Sequence, residues 1–317
     1  MNKPFVSIII PNYNHAAFLK QRTDSILHQT YTNYEIILLD DCSTDNSKDF
    51  LKQYETNEKV SVIDINKKNS GSPFKQWKKG LELAKGELIW IAESDDYADA
   101  NFLQTAINSL SNCQSAILFS SASFIVDESD NTRENPLTIS LSSGCYNGAE
   151  IIRQFLVDRN RIVNASACVF KKEEALKHIE QIIDFKMVGD WLFWVALLSK
   201  GMFAYSDKKL NYFRDTSFST RQHYNWQKKI TRLTEELKVL EFLFKNKIIR
   251  EELLNKRLET IKNRLCWSFP SIFSAFKLKE DDLTYEGFSI AKKEILRHCF
   301  ELKIRSIKNK IFGKTNR

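Results

Sequence analysis

Short apolar runs alternate with longer amphipathic ones through the first half of the chain. Residues 6–10 (VSIII), 35–39 (EIILL), 60–65 (VSVIDI) and 88–92 (LIWIA) are rich in Ile, Val and Leu and suit buried strands. Residues 16–29 carry Phe18, Leu19, Thr23, Ile26 and Leu27 on one helical stripe. Residues 44–54 predict a second helix, capped by Thr44 or Asp45. Residues 73–84 predict a third, with Pro73 in its first turn and Gly86 just beyond its end. A fourth helix is predicted over 99–110, and a bent fifth strand over 116–126. This order predicts an α/β fold: a mostly parallel sheet with helices on both faces.

In such a sheet, ligands gather outside the carboxyl ends of the strands. Four polar stretches fall there: 11–15, 40–43, 69–72 and 93–96. The last is the most telling. Adjacent carboxylates Asp95 and Asp96, where a buried strand empties, are costly unless something positive sits on them. A hard dication bridged to a diphosphate would serve, because one or two carboxylates suffice when phosphates and water complete the shell. The alternative is a solvated loop in which Asp95 or Asp96 caps the next helix. Tyr13 offers a ring to a planar base, or else is a half-buried turn residue. Asp41 offers acceptors to a base or ribose, or else joins the capping group around Ser43 and Asp45. Neither G-x-G-x-x-G after the first strand nor G-x-x-x-x-G-K-[ST] occurs, which disfavours a dinucleotide cofactor and a P-loop nucleotidase.

Composition narrows the class. With 43% apolar and 27% charged residues, and only 9 Gly and 5 Pro in 317, the chain reads as globular without long linkers. No apolar run reaches bilayer-spanning length, and the start runs directly into a strand without a signal-peptide pattern. The six cysteines are scattered without a CxxC pair, so reduced thiols and a cytoplasmic setting are expected, not a disulfide frame or a zinc site. The net charge of +7 is uneven: residues 223–317 hold 22 Lys and Arg against 12 Asp and Glu. Two parts follow, a domain over 1–222 and a basic helical region over 223–317. Helices are predicted over 224–247 and 251–267. A final one carries Leu296, Phe300, Ile304, Ile307 and Ile311 among Lys303, Arg305, Lys308, Lys310 and Lys314. Such a helix suits an anionic membrane surface, or else packs on a core with its charges solvated. Nucleic acid is disfavoured, because no binding motif or basic–aromatic interleaving is present.

Taken together, residues 6–14 (VSIIIPNYN), 40–45 (DDCSTD) and 85–96 (KGELIWIAESDD) resemble the inverting family 2 glycosyltransferases of the GT-A fold, over roughly residues 4–220. The resemblance implies that Pro11 and Tyr13 hold the uracil of a UDP-sugar and that Asp41 bonds the base. It implies that Asp95 touches ribose or sugar and that Asp96 binds Mn2+ or Mg2+ on the diphosphate. Lys75 stands near the place of a phosphate-side Arg, or else is a surface lysine of the third helix. Asp190, as N-cap of the apolar helix 191–198, falls on the general base, with Gly189 where the family often has Glu. Residues 159–167 are expected to return to the acceptor cleft before a strand near 168–171. Arg214, Arg221 and His223 fall where family members carry a loop over the diphosphate. The implied activity is transfer from a nucleotide-sugar to a saccharide or lipid-linked saccharide acceptor in surface-polysaccharide synthesis. The alternative is an inactive nucleotide-sugar-binding scaffold that recruits partners through its helical tail. A nucleotidyltransferase would want a Gly-rich basic loop after the first strand, which 11–15 is not.

Overall fold

The computed structural model describes residues 3–162, 164–215, 226–268, 284–285 and 288–289. The chain divides into two compact units, Met1–Ser219 and Thr220–Arg317.

The first unit begins as the apolar runs require: β1 (Val6–Asn12), α1 (Ala16–Leu27), β2 (Tyr34–Asp40), α2 (Ser47–Lys52), β3 (Val60–Ile65), α3 (Pro73–Leu83) and β4 (Leu88–Ile91). β3, β2, β1 and β4 lie side by side and parallel, with every residue of β1, β2 and β4 buried. Alternate residues of β1 serve opposite faces. Ile8 and Ile10 pack in one cluster with Leu19 and Ile26 of α1. On the other face a Cβ on Gly80 of α3 would stand 2.4 Å from Ile9 Cγ2, so only glycine lets that helix lie so close. Helices therefore cover both faces.

Beyond β4 the sheet becomes mixed. It continues through β5 (Tyr97–Ala98), α4 (Phe102–Asn112), β6 (Ala116–Val126), β7 (Thr132–Glu134) and β8 (Gly144–Asn147). Then come α5 (Gly148–Ile151), β9 (Cys168–Lys171), α6 (Lys172–His178), α7 (Gly189–Leu198) and β10 (Met202–Arg214). Among the described residues ten strands join one sheet, in the order β3-β2-β1-β4-β9-β6-β10-β5, with β7 on β6 and β8 on β10. β9 enters antiparallel between β4 and β6, and beyond it β6 and β10 pair parallel again, with β5, β7 and β8 added antiparallel at the margins. β10 escaped sequence analysis because its centre, Asp207-Lys208-Lys209, is polar; the register with β6 shifts there, as at a bulge. α4 starts three residues later than expected because Tyr97 and Ala98 pair with β10, and Gln29 Oε1 accepts from Leu103 N at its first turn.

The expectation of reduced thiols is corrected. Cys113, just after α4, and Cys145 in β8 form a disulfide with Cα atoms 5.4 Å apart; Cys266 is also disulfide-bonded, and Cys42 and Cys168 are free. Folding, not sequence spacing, brings the first pair together, since the two lie 32 residues apart.

In the second unit α8 (Trp226–Lys245) and α9 (Glu251–Ser268) follow the predicted spans closely, and Arg264 of α9 grips Glu236 of α8 through both carboxylate oxygens. The expected amphipathic helix near 292–317, with Arg221 and His223, lies outside the described residues. No described helix is long and apolar enough to cross a membrane.

Candidate functional site

The loops after β1 and β2 are zipped together. Asp40, fully buried, accepts from Asn12 Nδ2 (2.8 Å), Ser43 N (2.8 Å) and Ser43 Oγ (2.6 Å). Asn14, at φ 56°, sits in the left-handed region that asparagine tolerates, donates its N–H to Ser43 Oγ and accepts from Thr44 N. Asp45 then caps two helices at once, accepting from Ala16 N at the head of α1 and from Ser47 N at the head of α2. Between these anchors Tyr13 is 46% exposed, while Pro11 at the end of β1 is buried.

Asp41 is buried and heavily bonded. Its Oδ1 accepts from Asn66 Nδ2 (2.6 Å), Ser70 N (2.9 Å) and Gln76 Nε2 (2.9 Å), and its Oδ2 from Ser70 Oγ (2.8 Å). Those donors come from the β3–α3 connection and α3, and Asp41 N donates to Asn12 O, so Asp41 ties three of the four polar stretches together. Ser70 N also reaches Oδ2 (3.1 Å), so the roughly four acceptor sites of this carboxylate are filled within the protein. Lys75 is exposed beside the same turn and donates to Ser70 O.

The acidic turn after β4 is the electrostatic centre. Asp96 is 2% exposed, and both its oxygens are taken: Oδ2 by Asn164 Nδ2 (2.7 Å) and Ser166 Oγ (2.7 Å), Oδ1 by Arg214 N (2.9 Å). Burial first, then Asp95, pushes its carboxyl up to about 6, against the pull of Arg22 and those donors. Glu93 accepts from Trp77 Nε1 (3.0 Å); burial, Asp95 and Asp96 push it up to about 8. Asp95 is half-buried, and no described residue donates a hydrogen bond to its carboxylate. Of the adjacent pair it is therefore Asp95, not Asp96, that holds open oxygens.

Under this turn lies Arg22 of α1, fully buried. Its Nε donates to Glu93 O (2.9 Å) and its guanidinium sits 5.3 Å from the Trp90 ring centre. Arg214 closes the other side. Its Nε donates to Asp95 O, Nη1 to Asp127 O and Nη2 to Gln21 and Asp130, between the rings of Phe18 and Tyr97. Arg214 is thus a buried strut at the end of β10, not part of an exposed covering loop.

No group of three or more His, Cys, Asp or Glu suited to a metal occurs among the described residues. The donor set still fits a dication that brings its own shell: one open carboxylate on Asp95, completed by diphosphate oxygens and water.

The segment from Asn160 to Ser166 links this turn to Asp190. Asn164 and Ser166 hold Asp96, while Asn160 Nδ2 donates to Asp190 Oδ2 (2.9 Å). Asp190 is half-buried in the first turn of α7, and its Oδ1 accepts from Trp191 N. The expected N-cap role is corrected: the helix begins at Gly189 with Val188 as N-cap, so Asp190 stands one position inside. A carboxylate there still benefits from the positive helix end. A Cβ on Gly189 would come within 2.6 Å of Phe74 Cε2, so a larger residue has no room. Beside Asn164 a small cavity of about 20 Å³ is walled by Ser120, Ser121, Ser123, Asn135 and Arg161.

The predicted residues thus gather at the carboxyl edge of β1, β2 and β4, with Asp190 joined to them through the 160–166 segment. Sequence analysis placed 69–72 and 159–167 near the site, but it missed Arg22 and the donor roles of Asn66, Ser70, Gln76, Asn164 and Ser166. Arg22 left one signal: it is a charge three residues after Leu19 and four before Ile26, on the apolar stripe of α1.

Comparisons with known proteins place the fold in a family. The model of the family described as Glycosyl transferase family 2 matches residues 7–179. A putative teichuronic acid biosynthesis glycosyltransferase, TuaG of Bacillus subtilis, is 28% identical over 204 residues, 64% of this chain and 75% of TuaG. Glycosyltransferase GlyG of Streptococcus pneumoniae is 38% identical over 101 residues, 32% of this chain and 33% of GlyG. Among solved structures, S. aureus TarS 1-349 in complex with UDP-GlcNAc superposes with a TM-score of 0.62 at 19% identity, covering 87% of this chain and 77% of that one. The mannosyltransferase PcManGT of Pyrobaculum calidifontis, in complex with GDP-Man and Mn2+, gives 0.52 at 15% identity, covering 96% and 81%. With its β1–β4 parallel core and the loops at its carboxyl edge, the chain belongs to glycosyl transferase family 2 and has the GT-A fold.

Proposed function

We propose that this glycosyltransferase is inverting and metal-dependent, and that it moves a sugar from a UDP-sugar to a saccharide or lipid-linked saccharide acceptor in cell-surface polysaccharide synthesis. The observation that carries the reading is the 160–166 segment, which hydrogen-bonds both the acidic turn and Asp190. Displacement with inversion needs a leaving group held on one side of the anomeric carbon and a base on the other. Tyr13 and Pro11 would receive the base ring, and Asp41, whose oxygens are held by Asn66, Ser70 and Gln76, would fix the loops that meet the polar edge of the nucleoside. Asp95 would hold the cation, Mn2+ or Mg2+, which neutralises charge on the departing diphosphate. Asp96 would anchor the turn from beneath, a different role from the cation contact implied by the resemblance. Asp190 would take the acceptor proton, an assistance worth about 10²–10⁴-fold, with Asn160 fixing its direction.

A cytoplasmic setting belongs to the same proposal. Its ground is the nucleotide-sugar donor, since the disulfide removes the argument from thiols. Contact with the membrane face through the basic C-terminal region is part of it as well, by the charge of residues 223–317. The competing reading is a nucleotide-sugar-binding scaffold without turnover.

Asp190→Asn tests the choice. Transfer or slow donor hydrolysis should fall by at least about 10²-fold, while UDP affinity with Mn2+ stays within a factor of two or so. Equal turnover in variant and parent would remove Asp190 from the chemistry; UDP-sugar binding without turnover in the parent would favour the scaffold.

A further inference from the structure

Arg22 occupies a place where an arginine is hard to justify by packing. It shares the buried face of α1 with Leu19, Thr23 and Ile26, and none of its surface is exposed. It makes one hydrogen bond, to the Glu93 carbonyl, and neither Nη1 nor Nη2 has a hydrogen-bond partner among the described residues. Trp90 lies against its face. Desolvating a guanidinium costs several kcal/mol unless good partners replace water. Burial indeed lowers its pKa to about 10, and the groups opposing that are Asp96, Asp95 and Glu93, in that order. At neutral pH it stays charged. The other buried cation nearby, Arg214, is fully committed to Asp95 O, Asp127 O, Gln21 and Asp130.

We propose that Arg22 is a positioning residue, a resident counter-ion that stands in for the divalent cation beneath the Glu93–Asp96 turn and keeps the turn assembled before the donor arrives. It rests on the metal-dependent transfer reading. Two consequences follow from charge alone. The metal-free turn is held together because its carboxylates already face a cation. A dication arriving by itself gains little, because part of the negative field is already matched and the two cations repel. The donor's diphosphate supplies the missing negative charge, so cation and donor bind together.

The test uses the full-length protein and Mg2+ alone, at pH 8.5. Calorimetry and thermal unfolding are read for the parent, Arg22→Met and Arg22→Lys. Arg22→Met should melt below the parent without cation, recover most of that loss when Mg2+ is added, and bind Mg2+ alone at least about tenfold tighter than the parent. Arg22→Lys keeps the charge and should bind Mg2+ as weakly as the parent. A residue that only packs against Trp90 would lower the melting temperature with no recovery by Mg2+. That result, or equal Mg2+ affinity in parent and Arg22→Met, overturns the proposal. Should Arg22→Met fail to fold, Arg22→Gln carries the same expectation, since it keeps a donor for the Glu93 carbonyl. Failure of the parent to bind UDP with Mn2+ would instead sink the transfer reading, and the nucleotide-free Mg2+ measurement separates the two.

Discussion

Replacing Glu93 by Gln should remove one titration from the folded protein and leave the acidic turn in place. Glu93 has its carboxyl turned inward to Trp77, and burial, reinforced by Asp95 and Asp96, raises it from 4.5 to about 8, against the pull of Trp77 and Arg22. The folded protein therefore holds a proton there that the unfolded chain has already released. A carboxyl raised on folding makes stability fall as pH climbs from the unfolded value to the folded one. The slope is about 1.4 kcal/mol per pH unit, so the whole window spans at most roughly 4–5 kcal/mol. Asp96, raised from 3.8 to about 6, adds a loss of the same sign below pH 6 only. Between pH 6 and 8 the slope thus belongs mainly to Glu93. Urea unfolding at pH 6, 7 and 8 in EDTA measures it. The parent should lose about 1–3 kcal/mol across that interval, while Glu93→Gln, whose amide oxygen still accepts from Trp77, should stay nearly flat. Parallel decline in both proteins would mean that Glu93 is ionised in the folded state and that the reasoning from burial fails.

Two further outcomes follow from local geometry. Gly189→Ala forces a methyl to within 2.6 Å of Phe74 Cε2 and 2.9 Å of Phe185 Cβ, and should cost about 1–3 kcal/mol in chemical denaturation; an unchanged midpoint would show that Phe74 yields freely. Asp45→Ala strips an acceptor from the heads of α1 and α2 together and should cost about 2 kcal/mol, twice an ordinary cap. Although burial works against it, the hydrogen bonds from Ser47 and Ala16 hold the Asp45 carboxyl below its usual 3.8, so the difference between parent and variant should shrink as pH falls below about 4.

The parallel half of the sheet was legible because β1, β2 and β4 are unbroken apolar runs that need burial on both faces. The second half was not, because β10 carries three consecutive polar residues at its bulge, and β5, β7 and β8 are too short to show a period. The loops that carry Asp41, Asp95 and Asp96, and the helix head that carries Asp190, stood out as acidic interruptions of apolar sequence. Their partners did not. Asn66, Ser70 and Gln76 reach Asp41 from 25 to 35 residues away, and Asn164 and Ser166 reach Asp96 from about 70. Nothing local marks such residues, because amides and hydroxyls are common in loops for many reasons. The same holds for the Cys113–Cys145 bridge, whose halves meet only once β8 has docked on β10.

The stretch between Asn160 and Ser166 also bears on how the enzyme could be re-engineered. It is a short tether with one end knotted to Asp96 in the acidic turn and the other to Asp190, the proposed base. Inserting or deleting a residue there would slide both knots at once. Attempts to change acceptor preference by editing this tether should therefore disturb nucleotide handling too, and swaps that respect its length and its three polar anchors are the ones with room to succeed.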